Sequence, residues 1–189
     1  MQRHLMTFYA LDELPAVDDF VAPQPEPSRE RLVVRITEEA VDIALELPES
    51  TVQPAGPLHL DALCQVVEGV SHFVLVTHRA RRDLSTSQLE LELQAEVDKW
   101  LLLALGREPR ERQRRAAVKD RLFEGVSFAD PAGTERGDRY RKAHRLARRF
   151  IERLERRYLR EGRHEDVRAA LCEFYRLGPG DKVAFAEAA

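Results

Sequence analysis

Two pairs of side chains near the middle of this chain have types and spacing suited to metal or acid–base chemistry. Glu68 and His72 lie four residues apart, and so do Glu92 and Glu96. On helices, each pair shares a face. If the two faces turned toward each other, three carboxylates and an imidazole would converge as a donor set for a divalent metal. The competing reading is a solvated or hydrogen-bonded glutamate–histidine pair. The paired Glu-x-x-His motifs of di-iron bundles use a spacing of three, which Glu68 and His72 do not share. In the helical projection, Glu92 falls between the buried stripe and the solvent side.

A second candidate is basic. Arg141, Arg145, Arg148, Arg149 and Arg156 cluster on one side of a helix over 138–160, with Arg110, Arg112, Arg114 and Arg115 upstream. Such a face can hold nucleic acid or another polyanion through phosphate contacts. Glu152 and Glu155 interrupt it, and Tyr140, Phe150 and Tyr158 fall on the apolar side, away from any base-stacking role. Alternatively, Glu90, Glu92, Glu96 and Asp98 meet part of the arginine set inside the molecule and fix which helices are neighbours. His144 borders the core face of the arginine helix. Serine-nucleophile motifs, phosphate loops, dinucleotide fingerprints and zinc cysteine pairs are absent from the sequence, and no cofactor is implied.

The elements that must position these groups follow from periodicity. From Leu58 to about Arg82 the apolar residues repeat at helical spacing over a broad face, leaving Asp61, Gln65, Glu68, His72 and Arg79 as one narrow polar stripe. Ser85 followed by Gln88 is a capping-box pattern that opens a second helix, with Leu89, Leu93, Val97, Trp100 and Ala104 buried and Gly106 as its stop. Further helices are expected over 107–124, from Asp138 to about Arg160, and from His164 to Leu177. Period-two alternation in 31–37 and 41–47 predicts two antiparallel strands joined by Glu38–Glu39–Ala40. A third strand comes from 5–10 or from Val183–Phe185. Prolines 23, 25 and 27 make 1–30 a partly extended N-terminal segment. The expected organisation is that segment, one globular domain over 31–177, and a tail over 178–189. The fold class is α+β and helix-dominated, with a small antiparallel sheet on four to five helices.

Charged residues make up 33% of the chain, above the usual quarter, and net charge is −3. Residues 1–106 hold 8 basic against 18 acidic side chains, whereas 107–164 hold 19 against 10. The halves either neutralise each other or the basic half faces an acidic partner. Two cysteines, Cys64 and Cys172, both in apolar patterns, imply no disulfide framework. No signal core and no membrane-length apolar run are read, so the expectation is a cytoplasmic protein. The expected function is a non-enzymatic protein–protein interaction or assembly subunit, with a protein partner or a homo-oligomer. The alternatives are a nucleic-acid-associated protein using the arginine helix, and a metal-dependent helical enzyme using the Glu/His cluster.

Overall fold

A 21-residue helix carries the core. The computed structural model describes residues 1–25, 29–36, 41–54, 56, 59–105, 112–124 and 126–188, except for the side chains of 36, 41 and 112–115. The expected stop at Gly106, the hairpin loop at 38–40 and Arg110 therefore lie outside the described residues, as do the side chains of Arg112, Arg114 and Arg115. In chain order the helices are α1 (Gln2–Tyr9), α2 (Glu49–Val52), α3 (Leu60–Ala80), α4 (Gln88–Leu103), α5 (Arg112–Phe123), α6 (Glu135–Arg157), α7 (His164–Arg176) and α8 (Pro179–Glu187). The strands are β1 (Val21–Gln24), β2 (Arg31–Ile36) and β3 (Val41–Pro48), in sheet order β1-β3-β2. The fold is helix-dominated α+β.

The hairpin forms as its alternation predicts, with β2 antiparallel to β3 and Leu32 opposite Leu45. The third strand is β1, which runs parallel to β3 with Pro23 opposite Leu47. An edge position tolerates the missing proline N–H. Neither expected third strand forms. Residues 5–9 lie in α1, where Leu5 and Tyr9, four apart, are both buried. Residues 183–185 lie in α8, which Pro179 opens at a first-turn position. Six residues are too few to separate the two periods, and tertiary burial decides between them.

α3 packs against the sheet through Gly69, where an added Cβ would come 2.6 Å from Leu45 Cδ1. It packs along α4, and α4 in turn packs along α6. By length and composition α3 reaches membrane-span character, with a mean hydropathy of 1.3, which the sequence reading did not register. Here its apolar face, Val67, Val70, Phe73, Val74 and Leu75, is buried in the core instead. Two caps differ from expectation. Ser87, not Ser85, caps α4, its hydroxyl accepting from the Glu90 N–H. Thr134 caps α6, accepting from the Gly137 N–H, while Asp138 accepts from the Gly133 N–H.

Polar groups in the core tie the two ends of the chain to α3 and α4. Asp98 accepts from Tyr9 Oη at 2.5 Å, Ser71 Oγ at 2.6 Å and Gln94 Nε2 at 2.9 Å. Lys182, fully buried, donates to Gln94 Oε1 at 2.9 Å and pairs with Glu90 at 3.3 Å. Arg79 completes the set by pairing with Glu90 at 2.5 Å. Buried polar side chains persist where each finds partners. Residues 1–9 and 179–187 thus contribute both apolar and polar contacts to the core.

Candidate metal centre

Glu68 and His72 stand one turn apart on α3, and Glu92 stands on the packed face of α4. Their ligating atoms all lie within 4.8 Å of one another. His72 and Glu92 are buried, and their nearest atoms, Nε2 and Oε2, are 3.7 Å apart with no hydrogen-bond partner on either. The α3–α4 packing therefore brings Glu92 to Glu68 and His72, while Glu96, expected to converge with them, is not part of this cluster. The projection misplaced Glu92, whose side chain is only 9% exposed. It flanks a stripe that is covered on both sides, by α3 and by α6.

The His72 ring lies against the Leu91 backbone, and its Nε2 has no hydrogen-bond partner. Burial holds the imidazole below its ordinary pKa, against the pull of Glu68. A neutral imidazole with an unpartnered nitrogen turned toward carboxylates is suited to ligate a metal.

Glu96 does not share Glu68's face directly; Lys99 stands between them. Lys99 Nζ is 3.2 Å from Glu68 Oε2 and 2.5 Å from Glu96 Oε1, with only 12% of its side chain exposed. On its far side, Glu96 Oε2 meets His144 Nδ1 of α6 at 3.1 Å. The second ring nitrogen of His144 faces the Phe123 carbonyl at 3.4 Å. Arg139, also from α6, approaches Glu92 at 3.9 Å. Glu30, just ahead of β2, joins from the sheet side and hydrogen-bonds Glu68.

Burial and the neighbouring charges set the carboxyls of the site apart. Burial pushes the Glu30 carboxyl up to about 10, with the Glu68 charge adding to it. Burial and then Glu68 push Glu92 up to about 8, with Arg139 opposing. Burial would raise Glu96 too, but Lys99 and His144 outweigh it and hold it at about 2. Burial would raise Glu68, but Lys99 outweighs it and holds it below its ordinary value. Burial works against the Lys99 charge, yet Glu96 and Glu68 raise it well above the usual lysine range. Glu68 and Glu96 share Lys99, Glu96 also meets His144, and Glu92 has Arg139 at 3.9 Å.

Glu30, Glu68, Glu96 and Lys99 also line a cavity of about 350 Å³, together with Cys64, Tyr140 and His144. Arg29, Arg121 and Arg136 stand in the same wall. That volume suits a small-molecule ligand.

Sequence reasoning missed Glu30, Lys99, Arg139 and Tyr140 as members of the site and gave His144 no partner. The Glu96–Lys99 spacing of three was a usable signal, but nothing in the sequence linked residue 30 to residue 68. The arginine candidates divide. Arg141 donates to the Asp130 and Gly137 carbonyls and lies over Phe128, and Arg148 pairs with Glu124 and Glu152. Arg145, Arg149 and Arg156 are exposed. Among the described residues none of the acids expected to meet the named arginines does so: Glu92 approaches Arg139 instead, Glu96 meets Lys99 and His144, and Glu90 and Asp98 turn to the core. Comparisons of the chain with family models, with curated proteins and with solved structures found no match.

Proposed function

We propose that this protein binds a divalent transition-metal cation between Glu68, His72 and Glu92, and uses it on a small polar ligand in the adjoining cavity. One observation carries this: the three ligating groups converge within 4.8 Å, and buried His72 Nε2 and Glu92 Oε2 have no other partner. An unpartnered buried donor set is costly, and a cation removes that cost. One imidazole with two carboxylates favours Mn²⁺, Fe²⁺ or Zn²⁺ over Mg²⁺ or Ca²⁺, which prefer all-oxygen shells. Glu68 borders both the donor set and the cavity, so a bound cation would be within reach of a ligand there. A dication in such a position lowers the pKa of bound water or polarises a carbonyl or phosphoryl oxygen.

A protein-binding role has weaker support. The exposed large apolar side chains among the described residues are Met1, Val34, Leu84 and Val126, on four separate segments.

The test is metal content of the purified protein, with thermal unfolding in chelator and in added Mn²⁺ or Zn²⁺. Bound metal, or stabilisation by the cation that His72→Ala abolishes, is the expected result. Protein that carries no metal and unfolds identically under all three conditions overturns the proposal.

A further inference from the structure

We infer that an arginine ridge on α6 binds the phosphate backbone of a nucleic-acid duplex. The inference is independent of the cation reading above, since α6 meets that centre through Arg139 and His144. Arginine recurs at every fourth position of the helix, at 141, 145, 149, 153 and 157. On a helix, each member of that series faces the next, and like charges so placed are destabilising. The fold compensates them unevenly. Arg141 donates to the Asp130 and Gly137 carbonyls. Arg153 donates to the Phe185 carbonyl and lies over the Phe150 and Phe185 rings, and Arg157 lies over Tyr158. Arg145 and Arg149, both exposed, have no hydrogen bond, ion pair or ring contact among the described residues, and neither do Lys142 and exposed Arg156. Glu152 is the one acid between 139 and 154, and it is committed to Arg148 at 2.8 Å.

The uncompensated charge is felt within the helix. Burial holds Arg153 below the ordinary arginine value, and Arg157 and Arg156 add to that, with Tyr158 opposing. The helix dipole favours cations only in the last turn, which holds Arg156 and Arg157 but not Lys142, Arg145 or Arg149. From Lys142 to Arg156 the ridge runs about 21 Å at roughly 1.5 Å per residue. A duplex presents about 12 phosphates over that length. Guanidinium groups match phosphate oxygens two at a time. Other polyanionic partners fit less well. The exposed large apolar side chains among the described residues are Met1, Val34, Leu84 and Val126, none of them on α6. The ridge therefore has nothing to insert among acyl chains and nothing to form the apolar centre of a protein interface. Single-strand binding uses base stacking. On α6, Phe150 is buried, and Tyr140 and Tyr158 are half-buried beneath Arg136 and Arg157.

The experiment is fluorescence anisotropy of a labelled duplex of arbitrary sequence, about 24 base pairs long, titrated with the protein in chelator from about 50 to 200 mM salt. Four phosphate contacts, from Lys142, Arg145, Arg149 and Arg156, give a slope of about −3.6 in log affinity against log salt, or roughly a 150-fold loss over that range. Arg145→Gln/Arg149→Gln should reduce the slope to about −1.8 and the loss to roughly 12-fold. Arg31→Gln, which removes an exposed arginine of β2, should change neither. Thermal unfolding of the double variant should match or exceed wild type, which separates a lost contact from a lost fold. If the double variant does not fold, Arg149→Gln alone should lower the slope by about 0.9. No duplex binding at about 50 mM salt, or a slope that the variants retain, overturns the inference. Binding to a single strand of equal length, or to phosphatidylserine vesicles, as tight as to the duplex overturns the assignment of the partner. None of these outcomes bears on the Glu68–His72–Glu92 site, which is read by metal content.

Discussion

Replacing Glu92 with glutamine should have opposite effects with and without a cation. The side chain is 9% exposed, its Oε2 lacks a hydrogen-bond partner, and its nearest fixed cation, Arg139, is 3.9 Å away. Burial and the Glu68 charge favour the neutral acid there. Glutamine has the same shape and is always neutral, so in chelator at pH 8 it removes the cost of holding a charge. Each tenfold change in proton affinity corresponds to about 1.4 kcal/mol. Taking one such step as the conservative figure, and about 2–4 °C per kcal/mol for a chain of this size, Tm rises by about 3–6 °C. With Mn²⁺ at about one hundred times its Kd, wild type gains about 2.7 kcal/mol, or roughly 5–11 °C. The variant lacks one charged ligand and should gain less than about 2 °C under the same conditions. The order of stability therefore inverts between chelator and cation, read by differential scanning calorimetry on both proteins. If Glu92→Gln is less stable than wild type in chelator and responds equally to Mn²⁺, then Glu92 is only a structural partner of Arg139 and the donor-set argument fails.

Other outcomes test the surrounding fold. Tyr9→Phe removes one of three donors to buried Asp98 and should cost about 1–3 kcal/mol in urea denaturation; an unchanged midpoint would show that α1 is not held by this bond. Gly69→Ala places a methyl 2.6 Å from Leu45 Cδ1. Overpacking of about 1–3 kcal/mol then opposes about 1 kcal/mol of helix propensity, and a second change, Leu45→Val, should restore part of any loss. Burial lowers Lys182 to about 8, against the favourable pull of Glu90. A lysine with a lowered folded pKa leaves the unfolded chain binding more protons between pH 8 and 10.5, so this residue makes stability rise with pH across that window. Lys182→Met should remove that rise, measured as the wild-type-minus-variant difference in urea midpoint at pH 7.5 and pH 10.

The apolar periods of 60–80 and 88–104 by themselves determined the two central helices, and alternation in 31–47 determined the hairpin. Burying an apolar stripe requires one local period, and that information is contained in the segment. The four-residue spacings also determined that Glu68 with His72, and Glu92 with Glu96, would each share a face. Only tertiary structure decided that those faces meet. It also decided that Lys99 enters between Glu68 and Glu96, that His144 reaches Glu96 from α6, and that Glu30 arrives from the sheet. Residues 5–9 and 183–185 show the same division, since short apolar runs fit either period until tertiary packing decides between them. A cation site is made of atoms within a few ångströms of one another. Residues 68, 92 and 144 come from three helices and residue 30 from the segment ahead of β2, and their proximity follows from how α3, α4, α6 and the sheet pack, which no local pattern encodes.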